Sequence, residues 1–260
     1  MARQPRQESA TGYYHVMMRG ITGDSIFAPE ADKLHFLELI RLQQSVGLVT
    51  LVAWCVMDTH VHLLVKADKG ALSRAAKVIN IKYAAYYNRN HMRRGPVFGG
   101  RFRSERVEDD RYLLGAVRYI HNNPVKAGLV QFASEYKWSS FQEYVHSATY
   151  LDPIERTFVL DLIGHDPAKF AAFHAQTDET DYLEVRDDIL RIREERAAKV
   201  LEQFCRQHGI TKGADLRRHP VLFEELCRLL VQDVGLSLRR AAEYLETTHS
   251  RVYQALSERE

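Results

Sequence analysis

The sequence is short of the features that commit a chain to a membrane, to an oxidising compartment or to structural zinc. Its three cysteines, Cys55, Cys205 and Cys227, lie far apart, with no close pair for a metal and no disulfide framework. No apolar run approaches the roughly 20 residues needed to span a bilayer; the stretch LVTLVAWCVM is among the longest, and Thr50 interrupts it. The opening MARQPRQESATG is polar and has no apolar core of a secretory signal. An excess of one charge is missing too: 36 Lys and Arg against 34 Asp and Glu leave a net charge of +2, so composition alone does not announce a nucleic-acid binder. These absences point to a reduced, cytoplasmic protein. A 260-residue chain that is 45% hydrophobic and 27% charged has room for one large domain or two smaller ones.

Hydrophobic spacing predicts strands at residues 13–19, 49–57, 60–66 and about 103–107. Residues 49–57 and 60–66 are expected to form a hairpin around Asp58-Thr59. Helical spacing appears after Pro29, with Leu34, Phe36, Leu37, Ile40 and Leu42 as the apolar set and Gly47 as the close, and again over residues 71–91 and 109–123. The last of these has Asp109 or Asp110 as its cap and Pro124 as its stop. This order predicts an α+β fold, an antiparallel sheet with packed helices, over residues 1–146. A helical connector is expected at 147–180, with a break at residues 164–167. A charged, all-α domain is expected at 181–260.

The stretch DTHVHLLVK, residues 58–66, places two histidines in an otherwise apolar strand. Side chains alternate with period two, so His60, His62, Leu64 and Lys66 share one face and Val61, Leu63 and Val65 the other. Two adjacent imidazoles can hold a divalent metal, or they can be ordinary polar residues of a half-exposed sheet. Later, in RYIHNNP, Tyr119 and Asn123 stand four apart and share a helical face. With a metal on His60 and His62, Asn123 could add an oxygen ligand, and the phenol of Tyr119 could serve as a nucleophile. Alone, any one of 13 tyrosines is as readily a packing residue.

Charge is unevenly spread. From Lys82 to Arg106 the bases Lys82, Arg89, Arg93, Arg94, Arg101, Arg103 and Arg106 face a single acid, Glu105, and Tyr83, Tyr86, Tyr87, Phe98 and Phe102 are interleaved. Such a stretch can track a phosphate backbone and stack on unpaired bases, or it can be a solvated helix face and loop.

The HVH strand, the later helical tyrosine and the run YIHNNPVKAGLV followed by YKWSSFQEY resemble the single-tyrosine HUH endonucleases of the insertion-sequence transposase superfamily. More narrowly, they resemble REP-associated tyrosine transposases of bacteria, over roughly residues 11–146. The resemblance implies a ferredoxin- or RRM-like HUH domain. It implies His60, His62 and Asn123 as ligands of Mg2+ or Mn2+, and Tyr119 as the catalytic nucleophile. It further implies cleavage of single-stranded DNA beside imperfect hairpins through a 5′-phosphotyrosine. In that setting Arg93, Arg94, Arg101, Arg103 and Arg106 would grip phosphates.

Near the C-terminus, LSLRRAAEYLETTHSRVYQAL reads as helices at 238–245 and 249–256, with Ala242, Leu245, Val252 and Leu256 as the seam. The pair resembles a helix-turn-helix, in particular the DNA-binding domain of the bacterial replication initiator. It departs at Glu246, where glycine is common in the turn. The resemblance places His249, Ser250, Arg251, Tyr253 and Gln254 on or near a recognition helix for duplex DNA. The expected protein is thus a transposase-like enzyme of DNA hairpins, cytoplasmic and nucleoid-associated. The rival expectation is a binder or regulator of palindromic repeats that does not cut.

Overall fold

A computed structural model describes residues 8–21, 24–68, 70–176, 182, 186–210 and 219–257. The period-two segments pair as four antiparallel strands, β1 (Tyr13–Arg19), β2 (Thr50–Val56), β3 (His60–Lys66) and β4 (Arg103–Val107), in the order β2-β3-β1-β4. The β2–β3 hairpin is present, closed where the Met57 amide donates to the His60 carbonyl at 2.9 Å. Strand β3 is buried on both faces down to Val65, so each face needs a cover.

Helices α1 (Glu30–Ser45) and α2 (Ala71–Asn90) pack on one another, and α1 also meets β2. Helix α1 buries Phe36, Leu37 and Ile40 but leaves Leu34 and Leu42 exposed. At about 100° per residue, those two leucines fall well round from the buried stripe. Helix α3 (Asp110–Lys126) packs on β2, β3 and β4. Its N-cap is Asp109, whose carboxylate accepts from the Tyr112 amide at 2.7 Å.

The proline does not stop α3: the helix runs through Pro124 to Lys126. Proline removes the N–H that would bond the carbonyl of Ile120, which costs little when less than one turn remains. The close comes at Gly128, in the left-handed region at φ 68°, with the Gly128 amide on the Val125 carbonyl and the Leu129 amide on that of Pro124.

The domain boundary expected near residue 146 is not where the contacts divide. The chain splits into Met1–Leu183 and Glu184–Glu260. Helices α4 (Phe141–Val145), α5 (Pro153–Ile163) and α6 (Pro167–His174) belong to the first unit, so residues 147–176 are not a free connector. The expected boundary at 180/181 lies outside the described residues. Two buried carboxylates account for the attachment. Glu143 accepts from the Trp54 indole at 3.0 Å and from the amides of Thr149, Tyr150 and Leu151. Glu155 accepts from the Tyr13 hydroxyl at 2.6 Å and the Lys66 amine at 2.9 Å.

A third tie uses the histidine of the YIHNNP run. His174 Nδ1 donates to the Phe170 carbonyl at 2.8 Å, which leaves its Nε2 to accept from His121 Nδ1–H at 2.8 Å. His121 Nε2 then accepts from the Ser140 hydroxyl at 2.7 Å, and Ser140 Oγ accepts from the Trp54 amide at 2.9 Å. The Phe170 carbonyl fixes the His174 proton on Nδ1, and burial of both imidazoles favours their neutral forms. His121 is therefore a packing histidine that joins α3 to α6 and β2.

The second unit holds α7 (Arg186–Gln207), α8 (Pro220–Arg228) running into a π turn at Leu229–Asp233, α9 (Leu238–Tyr244) and α10 (His249–Ser257). Its core gathers Ala197, Phe204, Phe223, Leu226, Leu230, Leu236, Ala242, Leu245 and Val252, with Leu256 partly buried against it. The α9–α10 turn forms despite the missing glycine: Glu246 itself takes the left-handed conformation, at φ 49°.

Burial lowers the pKa of His121 well below its usual value and that of His174 to about 4. A histidine lowered in the fold protonates first in the unfolded chain, so acid favours unfolding once the pH drops below about 6.5. The limiting slope is about 1.4 kcal/mol per pH unit for each histidine. Thermal denaturation should show Tm falling from pH 6.5 to pH 4. A flat profile over that range would contradict the neutral pair.

Candidate active site

The histidine face of β3 meets α3. Rings of His60 and His62 lie 5.0 Å apart at 87°, both nearly fully buried. Strand register puts Met17 of β1 opposite His62, and His15 one pleat away on the same face. There His15 Nε2 lies 3.0 Å from His62 Nδ1, while His60 Nδ1 lies 2.9 Å from the Thr59 hydroxyl. Burial, then the charges His60, His15, Lys126 and Arg103 would carry, hold the pKa of His62 well below the usual value. Burial alone lowers His15 to about 3. Neutral imidazole is the metal-binding form. These are not the half-exposed polar residues of the bland alternative.

Tyr119 comes down from α3 onto this face. Its ring centroid is 5.6 Å from those of His62 and His15. Asn123 follows one turn later, and its Nδ2 donates to the Tyr119 carbonyl at 3.0 Å, which turns Oδ1 into the end available to a ligand. Lys126 Nζ lies over the Tyr119 ring, 4.2 Å from its centroid, and the Tyr182 ring lies at 5.0 Å. Tyr119 itself is 5% exposed. Tyr112 lies two turns earlier on the same helical face, 5.3 Å from the Tyr182 ring, and burial and then Glu105 raise its pKa.

Among the described residues no three His, Cys, Asp or Glu side chains are placed to hold a metal. A site on His60 and His62 would need a third donor of another kind, such as the amide oxygen of Asn123. Two imidazoles and an amide form a neutral set, which fits a divalent cation whose remaining positions take anionic phosphate oxygens.

The five arginines of the basic stretch do not form one patch. Arg103 stands opposite Met17 and so shares the histidine face. Arg106 stands opposite Tyr14, on the other face, and pairs with Glu108 at 3.0 Å. Arg93 pairs with Asp24 at 3.1 Å and lies over the Tyr87 ring; Arg94 and Arg101 are exposed in the loop before β4. The aromatics interleaved with them are mostly core: Tyr83, Tyr87 and Phe102 are buried, and Tyr86 stacks on His35 at 3.7 Å. Base stacking on those rings is thereby excluded for the three buried ones. In α10, His249, Ser250, Arg251, Tyr253 and Gln254 are all exposed, with the Arg251 guanidinium 5.4 Å from the Phe223 ring centroid.

Two site residues were not singled out from the sequence. His15 carries no motif of its own; only strand pairing brings it beside His62. Lys126 was legible in principle, since it lies seven residues after Tyr119, two turns along one helical face.

Residues 8–123 match the family described as transposase IS200 like. A curated relative from Haemophilus influenzae that carries the name of a REP-associated tyrosine transposase is 27% identical over 110 residues, 38% of this chain and 62% of the relative. The match thus spans less than two thirds of that relative. A solved REP-associated tyrosine transposase bound to a REP hairpin shares the fold with a TM-score of 0.50 at 19% identity, covering 70% of this chain and 95% of that one. Residues 8–123 of this chain are thus similar to the IS200-like transposases, and the chain shares the fold of the solved REP-associated tyrosine transposase.

Proposed function

We propose that the first unit is a metal-dependent endonuclease and strand transferase acting on single-stranded DNA beside hairpins. The observation that carries this reading is the Tyr119 ring 5.6 Å from that of His62, with Asn123 one turn further on the same helix. Support for hairpins as substrate comes from the solved relative, whose ligand is a REP hairpin.

In this reading His60, His62 and Asn123 hold a divalent metal, which supplies Lewis-acid polarisation of the scissile phosphate. Manganese suits two imidazoles better than magnesium does, because magnesium prefers oxygen ligands. Tyr119 Oη attacks phosphorus in line and loses its proton. The P–O3′ bond breaks, leaving a 5′-phosphotyrosine and a 3′-oxygen that takes up a proton. Reversal by another 3′-hydroxyl rejoins strands. An unperturbed phenol, with a pKa of about 10, is a weak nucleophile at neutral pH, so in this reading its activation falls to the field of the metal or to a nearby base. The second unit contributes duplex binding through α10.

A second reading, a binder of palindromic repeats that does not cut, is favoured by one observation: Tyr119 is only 5% exposed. Covalent chemistry separates the two. With labelled hairpin-flanking single strands and Mn2+, the wild-type protein should give an adduct on a denaturing gel, and Tyr119→Phe should give none while still binding the DNA. An adduct that persists in that variant and maps to Tyr112 would remove Tyr119 from the role. No adduct from the wild type under any divalent metal would leave the binder.

His60→Ala and His62→Ala should each abolish adduct formation, and a chelator should mimic both. Cleavage that survives chelation would make the histidines structural.

For the second unit, Gln254→Ala and Arg251→Ala should weaken duplex binding in a salt-titrated mobility shift. Loss of a base contact costs roughly 1–3 kcal/mol and relaxes sequence preference, whereas loss of a phosphate contact weakens all sequences alike. Since Arg251 also packs on Phe223, Gln254 is the cleaner probe. Unchanged affinity, preference and salt slope in both variants would give α10 a packing role.

A further inference from the structure

We propose that His15 is a positioning residue for the metal ligand His62, holding that imidazole by its Nδ1 so that Nε2 presents its lone pair to the cation. The inference rests on the metal-site reading above.

His15 is a costly residue to bury as mere filling. It is fully inaccessible, and among the described residues its only hydrogen bond is the 3.0 Å contact with His62 Nδ1, while its other nitrogen, Nδ1, has no partner. An unpaired buried polar atom costs about 1–3 kcal/mol, and a valine or leucine on a strand would carry no such penalty. Its neighbours on this face are the apolar Met17 and Leu64 and, opposite it on β4, Glu105, whose buried Oε2 makes no hydrogen bond to His15 or to any other described residue. What a histidine offers at this position is one nitrogen aimed at His62.

The contact has two proton arrangements. If His15 Nε2–H donates, His62 must accept at Nδ1 and carry its own proton on Nε2, which blocks metal binding there. If His62 Nδ1–H donates to His15 Nε2, the His62 Nε2 lone pair is available. Only the second is compatible with ligation. Ligating histidines commonly give their other N–H to a partner that fixes ring orientation and tautomer, and loss of that partner typically weakens metal binding 10–100-fold. Here the partner is a second imidazole supplied by the neighbouring strand. Rotation of His62 is further limited by the tilted His15 ring, 5.2 Å away at 39°, and the edge-on Tyr119 ring at 79°.

The role differs from a structural one in what it does to stability. With His15→Leu the partnerless nitrogen moves from His15 Nδ1 to His62 Nδ1, so the number of unpaired buried nitrogens in this pair stays at one. Stability should change little while metal affinity falls. His15→Gln keeps an acceptor oxygen near His62 and should restore affinity.

The test titrates full-length protein with Mn2+ alone, following free Mn2+ by electron paramagnetic resonance, for wild type, His62→Ala, His15→Leu and His15→Gln, with Tm measured for each. The expected result is 10–100-fold weaker Mn2+ binding in His15→Leu at near-unchanged Tm, recovery to within a few-fold in His15→Gln, and adduct formation by His15→Leu that returns at saturating Mn2+. Wild-type affinity in His15→Leu would overturn the proposal. So would a His15→Gln variant that stays folded yet binds as weakly as the leucine variant, because shape alone would then be at issue. If His62→Ala binds Mn2+ as well as the wild type, the metal-site reading itself fails and takes this proposal with it, an outcome the control reports separately.

Discussion

Everything in the first unit that bears on chemistry depends on one helix lying across the histidine face of one strand. Left in water, the imidazoles of His60 and His62 would titrate near neutrality and stand free to rotate. Covered by α3, with Tyr119 edge-on to His62, both are buried, and the proton affinity of His62 drops. The same cover brings a phenol and an amide to the neutral imidazoles. In the proposed function packing and reactivity are therefore not separate features, since the contact that buries the histidines is the one that would complete the site.

Helix α3 can serve this way because its faces are divided. At about 100° per residue, Tyr119, Asn123 and Lys126 share one stripe, while His121 lies on the far side. That far side is held by hydrogen bonds to His174 and Ser140, which fix the helix against α6 and β2. Buried carboxylates at Glu143 and Glu155 hold the neighbouring segments to the same sheet. The run YIHNNPVKAG thus interleaves site residues with anchoring residues. Its proline lies inside the final turn, and its glycine ends the helix in the left-handed conformation.

The basic segment shows the limit of arguing from charge density. Strand β4 sends Arg103 to the histidine face and Arg106 to the other, and Arg93 and Arg106 are each paired with an acid. In the second unit the α9–α10 turn forms with Glu246 in the conformation that glycine adopts more cheaply. A substitution that argues against a turn in sequence is thus accommodated in the fold, and the exposed face of α10 keeps the polar residues His249, Ser250 and Gln254.

The sequence by itself determined the strands, most helix bounds, the hairpin and the pairing of Tyr119 with Asn123, because period-two and period-3.6 spacing are local properties of the chain. It also determined that His60 and His62 share a face. Only the tertiary structure decided that this face is buried, since the cover comes from a helix some 50 residues later. Only strand pairing brought His15, far away in sequence and carrying no motif, to within 3.0 Å of His62. The domain boundary belonged to the same class: residues 147–176 look like a connector until buried Glu143 and Glu155 collect amides, a hydroxyl and an amine from distant segments. Hydrogen bonds of that range leave no periodic trace in a sequence, so they become visible only once the chain has closed on itself.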